Sequence, residues 1–349
     1  MVGAGRGRSA TSRSLGAFLW PPGHAGLRLR TRRLHIEIAT TERAIRSAQS
    51  DWRLYQLTDL HIDERDHAGP ELDAMIQKIQ GDDNALWLGG GDYGGLIVGG
   101  DPRVGDGYLE GVPGDRVPDH VKEVVVEKLR PIRDKCIGFG AGNHEWSLMQ
   151  RYHRGVAAEI AADLGLQHLY LAQRGWAHVT FRNVSAAITL KVFWYHGWSS
   201  GRGKSRKMLQ AERDIAARPG AHVQMLGHDH QPWIDASFYV EETYHSSKGA
   251  PWRIRQTPRV VMNGGSFTYG QLPPDKKKSA RKPSEMRNEL WKEKSNYRPQ
   301  PPNQHPVCHV HVDFGMAAKA KHATGGGNKG RPMGFDFRTE MVSPRFHPE

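Results

Sequence analysis

Five short runs in this 349-residue chain hold carboxylates, amides and imidazoles at spacings that suit metal ions. "LTDLH" supplies Asp59 and His61, "GGGDYGG" supplies Asp92, and "GAGNHE" supplies Asn143 and His144. "FWYHG" supplies His196, and "GHDH" supplies His228 and His230. Each run follows an apolar stretch, so each group is expected at the carboxyl end of a strand, where α/β sheets place their ligands. Asp59 and His61, like His228 and His230, are two apart, and on extended backbone such positions point to the same side. Glycines around Asp92 let the backbone approach an ion closely. Mixed oxygen and nitrogen donors suit Mn²⁺, Fe or Zn²⁺ better than Ca²⁺ or Mg²⁺, with Mn²⁺ favoured. Even seven of these donors are too many for one tetrahedral ion, but they suit two ions with one carboxylate bridging.

The elements that must position these groups alternate between strand and helix from Trp52 onward. "RLYQLTD", "ALWLGGGD" and "CIGFGAGNHE" read as buried strands. "GPELDAMIQKIQ" and "DHVKEVVVEKLRPIRD" carry helical spacing, and "EWSLMQRYHRGVAAEIAADLGL" reads as one long helix closed by Gly165. "HLYLAQ", "HVTFRN" and "AAITLKVFWYHG" look like successive strands of a second sheet. "HVQMLGHDH", "ASFYVEET", "WRIRQ", "PRVVMNGGSF" and "VCHVHVDFG" follow as further strands. Asp59 to Asp92 spans 33 residues and His196 to His228 spans 32, each one strand–helix–strand excursion that returns to the same rim. The expected architecture is α/β, with two packed sheets flanked by helices over residues 51–315. Residues 1–50 read as a basic leader and 316–349 as an irregular tail.

Composition adds bounds. Lys and Arg number 49 against 37 Asp and Glu, a net charge of +12. Seven of those units lie in the acid-free first 36 residues, and residues 271–300 hold nine Lys or Arg against four acids. The rest is nearly neutral, so polyanion binding is not a property of the body. The leader is open to three readings: a mitochondrial transit peptide, a disordered basic arm, or translated sequence upstream of the true start. The two cysteines, Cys136 and Cys308, form no disulfide framework, and no apolar run reaches the ~20 residues of a membrane span. A cytoplasmic location without membrane contact is expected, with mitochondrial targeting as the minor alternative.

Taken in order, D-x-H, G-D, G-N-H-E, H-G and G-H-x-H resemble the calcineurin-like metallophosphoesterase superfamily. The resemblance covers most of residues 52–267, including "VVMNGGSF", and in arrangement is similar to phosphoesterases of phage and prophage genomes. It implies a four-layer α/β/β/α sandwich carrying two divalent ions. One ion would take Asp59, His61 and His230, the other Asn143, His196 and His228, with Asp92 bridging. His144 would contact the scissile phosphate or protonate the leaving group. The implied activity is a phosphohydrolase cleaving phosphate esters by attack of a metal-bridging hydroxide. A nuclease acting on DNA or RNA and a non-catalytic scaffold of the same fold are the alternatives. After "GD" the chain lacks the Asp-Arg-Gly pattern of Ser/Thr protein phosphatases, which argues against a phosphoprotein substrate.

Other polar groups have plainer readings. His309 and His311 alternate with Cys308, Val310 and Val312, which is the polar face of a half-buried strand. Asp101, Asp106 and Asp115 sit among Gly and Pro as solvated turn residues, and His153 reads as a helix-surface or core histidine. Glu145 would either orient a ligand or favour the start of its helix. Arg202 and Lys204 in "GWSSGRGKSRK" would hold a substrate phosphate oxygen, or belong to an ordinary loop. "DKKKSARKPSEMRNELWKEK" reads as solvated, with nucleic-acid contact the lesser reading. Oligomeric state is not legible.

Overall fold

The computed structural model describes residues 37–98 (except 48), 116–197 (except 185), 220–244, 252–269, 304–314 and 334–342. Residues 1–36 of the expected leader, Asp101, Asp106, Asp115, Arg202, Lys204 and the basic segment of residues 271–300 lie outside them.

The first sheet has strand order β12-β11-β2-β3-β4-β5. Its parallel part is β2 (Gln49–Leu57), β3 (Ala85–Gly89), β4 (Cys136–Gly140) and β5 (Tyr170–Ala172). Every residue of β3 and β4 is buried, as a parallel strand covered on both faces requires. Between these strands run α1 (Gly69–Gln80), α2 (Val117–Leu129), α3 (Asn143–Tyr152) and α4 (Val156–Asp163). α1 buries Leu72, Met75, Ile76 and Ile79, a stripe at helical spacing, and Pro70 occupies its first turn, where the missing N–H costs nothing. β11 (His305–Asp313) joins antiparallel to β2, and β12 (Gly334–Val342) antiparallel to β11.

The second sheet has order β1-β6-β7-β8-β10-β9. It comprises β1 (Glu37–Ala44), β6 (Arg174–Arg182), β7 (Ala187–Tyr195), β8 (Val223–Leu226), β9 (Trp233–Tyr244) and β10 (Trp252–Asn263). The sheets pack face to face. Trp52 of β2 meets Phe181 of β6 at 5.2 Å between ring centroids. Gly140 of β4 leaves room for the Trp194 ring of β7, which a Cβ there would strike. Helix, sheet and sheet are thus three layers among the described residues; an outer helix on the second sheet would fall in residues 198–219, outside them.

Four expectations change. The folded body takes in β1, inside the leader expected to run to residue 50, because "EIATTERA" pairs in parallel with β6. Its burial alternates with only Ala39 fully covered among its first residues, the pattern of an edge strand that reads as polar leader. β12 lies inside the expected irregular tail, with Phe335 buried and Asp336 and Glu340 facing out. The long helix is broken: His153, at φ 54°, ends α3, and Gly155 precedes α4, while Gly165 at φ 76° follows α4. "WRIRQ" and "PRVVMN" are one strand, β10, since Pro258 sits where β10 pairs only with β9 and no N–H toward β8 is needed.

Candidate metal centre

The expected ligands all come together at the carboxyl ends of β2, β3, β4, β7 and β8. Asp59, His61, Asp92 and Asn143 come from the first sheet, and His196, His228 and His230 from the second. The local reason differs from the one the spacing suggests. β2 stops at Leu57, and Asp59 and His61 have φ 53° and 48°. Asp92 (φ 50°), His228 (72°) and His230 (55°) share this left-handed conformation. Among the described residues, five of the eight non-glycine residues with positive φ are therefore candidate ligands. Asp and His are among the few types that adopt that region readily. Convergence comes from left-handed turns, not from the pleat of a strand.

Backbone bonds knit these turns together. The Asp59 N–H donates to the Gly91 carbonyl at 2.9 Å, and the His61 N–H to the Asp92 carbonyl at 3.2 Å. At Gly91, φ 79°, any Cβ would strike the Gly142 nitrogen, so the second and third loops touch backbone to backbone.

Among the described residues, three sets of donor atoms lie within 4.8 Å of one another: Asp59, His61 and His230; His61, Asp92 and His144; Asp92, His196 and His228. Asn143 Oδ1 is 2.6 Å from His228 Nδ1 and 3.0 Å from His196 Nε2, which adds it to the last set. His196 Nε2 is 2.9 Å from Asp92 Oδ2, and His230 Nε2 is 3.2 Å from Asp59 Oδ1. Two lobes result, one of Asp59, His61 and His230 and one of Asp92, Asn143, His196 and His228, linked by the set that joins His61 to Asp92, and each lobe draws on both sheets.

Divalent cations fit this arrangement. Asp59 and Asp92 are fully buried, a costly state for two carboxylates unless positive charge sits beside them. Without a cation the imidazoles provide it. Burial opposes ionisation of Asp92, but His196 and His144 outweigh it and hold the carboxyl well below its usual range. Burial likewise opposes protonation of His61, yet Glu64, Asp92 and Asp59 push it up to about 10. His196 also reaches about 10, mainly through Asp92 acting against burial. Burial and the neighbouring His196 push His228 down to about 4. His61 gives the clearest sign: its Nδ1 is 3.0 Å from Glu64 Oε1, while its buried Nε2 has no hydrogen-bond partner. A carboxylate behind an imidazole whose other nitrogen is left open is the usual support of a metal ligand.

His144 stands at the first turn of α3. Its backbone N–H donates to Asp92 Oδ1 at 2.9 Å, and its Nδ1 lies 2.6 Å from the Gly95 carbonyl oxygen. Nδ1–H therefore donates to that carbonyl, and Nε2 is turned to the cluster, 3.9 Å from Asp92 Oδ2.

Two supporting residues, Asp63 and Asn263, are not among those the sequence singles out. Asp63 accepts the N–H groups of Gly95 (2.5 Å) and Leu96 (2.9 Å), which fixes the carbonyl that holds His144. Its one sequence signal is an acid following the apolar Ile62 in "LTDLHID". Asn263 donates to the Gly227 carbonyl (3.1 Å) and to Asp229 Oδ1 (2.8 Å), which sets the turn carrying His228 and His230. Glu145, buried to 2 % exposure, fills both of its expected roles. It accepts the N–H of Gly142 at 2.7 Å at the start of α3, and those of Asp92 (2.9 Å) and Tyr93 (2.7 Å) in the ligand loop. His309 Nε2 pairs with Glu340 at 2.7 Å and His311 Nδ1 with Asp51 at 2.8 Å, on β11 and apart from the cluster. Cys136 and Cys308 are free and buried.

No family model matches the chain, and neither does any curated protein. Among solved structures, a predicted phosphoesterase from Streptococcus pneumoniae TIGR4 is 11% identical, with a TM-score of 0.29 over 84% of this chain and 98% of that one. The NAD nucleotidase of Haemophilus influenzae is 10% identical, with a TM-score of 0.37 over 76% of this chain and 48% of that one. Vps29 from Entamoeba histolytica, in complex with Zn²⁺, is 10% identical, with a TM-score of 0.30 over 84% and 99%. The chain is similar to the calcineurin-like metallophosphoesterases in the order of its motifs.

Proposed function

We propose that the protein is a two-metal-dependent hydrolase of phosphate esters. The observation that carries this reading is the run of donor sets in which Asp59, His61 and His230 are linked, through the neighbouring His61 and Asp92, to Asp92, His196 and His228, with the buried His61 Nε2 left without a hydrogen-bond partner. Asp59, His61 and His230 would hold one divalent ion, and Asn143, His196 and His228 the other, with Asp92 between. Such a pair of ions, Mn²⁺ favoured, supplies charge neutralisation at the ester oxygens and an activated water at neutral pH. The chain's own contribution is position. Glu145 and Asp63 fix the loops that carry Asp92 and Gly95, and Gly95 in turn fixes His144. With Nδ1–H committed to Gly95, His144 presents Nε2 to hold a proton for the departing oxygen. A scaffold would not need all seven donors, and the nuclease alternative draws on a basic segment outside the described residues.

Asp92→Asn is the test. Asn tolerates the left-handed backbone, so the fold should survive while the charge between the lobes is lost. Wild-type protein supplied with Mn²⁺ should hydrolyse members of a panel of phosphomonoesters and diesters, and the variant should bind Mn²⁺ weakly and turn over none. A folded variant that keeps the wild-type rate would overturn the assignment.

A further inference from the structure

One peptide unit stands between a buried acid and the imidazole of His144. The His144 Nδ1–H donates to the Gly95 carbonyl at 2.6 Å. The N–H of that same peptide belongs to Leu96, and it donates to Asp63 Oδ2 at 2.9 Å. In a planar trans peptide the C=O and N–H point opposite ways, so Asp63 and His144 flank one amide from its two sides. Asp63 Oδ1 accepts the preceding N–H, that of Gly95, at 2.5 Å. With an N–H on each oxygen, the acid acts purely as an acceptor, and it is 1% exposed. The backbone around it is unusual. Leu96, buried, has φ 46°, a region that bulky side chains rarely enter. Such a conformation persists only where the surroundings over-determine it. A Cβ at Gly94 would strike Val121 and crowd Asp63 Oδ1, so the chain passes this acid as closely as it does because no side chain intervenes.

Resting on the two-metal phosphoesterase reading, we infer that Asp63 is a positioning residue that acts on His144 through the Gly95–Leu96 amide and thereby sets which leaving groups the site can expel. Hydrogen bonds in series polarise one another. A carboxylate on the Leu96 N–H makes the Gly95 carbonyl a stronger acceptor, and a stronger acceptor keeps the imidazole proton on Nδ1 and Nε2 turned to the cluster, 3.9 Å from Asp92 Oδ2. In the reaction the oxygen of water bonds to phosphorus and the P–O bond to the leaving group breaks. Its electron pair takes a proton from His144 Nε2, while the proton lost by water goes to solvent, from which Nε2 is recharged. A strongly basic leaving oxygen needs that proton as the bond breaks; a nitrophenolate departs without it. The chain from Asp63 to His144 therefore matters for the first kind of ester and not for the second. An acid that merely closed the loop would affect both kinds alike.

The test compares dinitrophenyl, nitrophenyl and phenyl phosphate in Mn²⁺, or the matching diesters for a diesterase. Asp63→Asn keeps the size of the side chain but loses its charge and one acceptor. It should keep its Mn²⁺ content and hold kcat for the dinitrophenyl ester within about twofold, yet lose about tenfold or more on the phenyl ester, part of what general acid catalysis supplies. An equal loss on all three esters would overturn the inference and leave the metal centre standing. In a His144→Gln background the same change should cost nothing further on the phenyl ester; losses that multiply would mean that Asp63 does not act through His144. Leu96→Gly loosens the same amide without touching the acid, and carries the test if Asp63→Asn does not fold. It should show a smaller loss with the same dependence on the leaving group, and a uniform loss would count against the amide as the path. A readout without turnover is the His144 Nδ1–H resonance in ¹⁵N-histidine protein loaded with Zn²⁺, identified by its disappearance in His144→Gln. It should shift, or vanish through faster exchange, in Asp63→Asn. If the wild type hydrolyses no ester, the catalytic reading fails and takes the leaving-group claim with it. An unchanged resonance in Asp63→Asn would then overturn the positioning role too.

Discussion

Replacing Glu145 with Gln tests, without a change of size, a buried carboxylate that accepts three backbone N–H groups. Oε2 accepts the N–H groups of Asp92 and Gly142, and Oε1 accepts that of Tyr93. Gln has a single acceptor oxygen. Placed where Oε2 stands, it keeps two of the three bonds but turns its NH₂ toward the Tyr93 N–H. One bond to a charged acceptor is lost, at about 1.5–3 kcal/mol, and a buried donor is left unpaired, at about 1–3 kcal/mol; the two overlap. Against this, Gln relieves a buried charge. Burial and then the neighbouring Asp92 push the Glu145 carboxyl above its usual range, so part of the loss is recovered. A net destabilisation of about 2 kcal/mol follows. Urea denaturation of the metal-free protein should show a lower midpoint with an unchanged slope. Because the released N–H belongs to the residue after Asp92, affinity for Mn²⁺ should fall too. A stability change below about 0.5 kcal/mol, or a stabilisation, would show that the three bonds do not hold the ligand loop.

The remaining predictions concern charge, decoys and boundaries. His61 and His196, both raised to about 10, hold protons at pH 7 in the metal-free protein, whereas a cation needs them neutral. Mn²⁺ binding should therefore release protons at pH 7 and tighten as pH rises; titration calorimetry in two buffers of different ionisation heat measures this, and zero release would refute it. The double variant His309→Ala, His311→Ala should keep its full Mn²⁺ content, since these side chains pair with Glu340 and Asp51; loss of metal on elemental analysis would contradict that. Ala39→Asp places a carboxylate at the covered position of β1 and should cost roughly 3 kcal/mol or more in denaturation. An unchanged midpoint would mean that β1 is no part of the folded body.

The candidate ligands were legible because the chemistry and the strand ends were both written locally. "ALWLGGGD" shows in eight letters a buried strand, its stop and a carboxylate. α1 was equally plain, with Pro in its first turn and apolar residues at helical spacing. What stayed hidden depends on distant partners. β1 is recognisable only beside β6, and β12 only beside β11, because an edge strand with one covered face carries a weak pattern of its own. The left-handed backbone at Asp59 and His61 imitates, in two-residue spacing, the same-side rule for strands, so the expected convergence came with the wrong geometry. Asp63 gave no signal that its carboxylate would turn inward to two N–H groups, since that partner lies 32 residues away. The break at His153 was masked by apolar spacing that runs on through α4.

Each lobe of the centre takes donors from both sheets: Asp59 and His61 with His230, and Asn143 with His196 and His228. Ions held there would be rivets through the open rim of a two-plate structure. In the chain they would close loops of well over a hundred residues between Asp59 and His230, so their loss would free the plates to hinge at that rim. Ligand binding confined to the native state raises stability in proportion to the logarithm of free ligand over Kd. Metal starvation should then soften this rim first, and a damaged ligand would be felt as a looser protein even where no substrate is present.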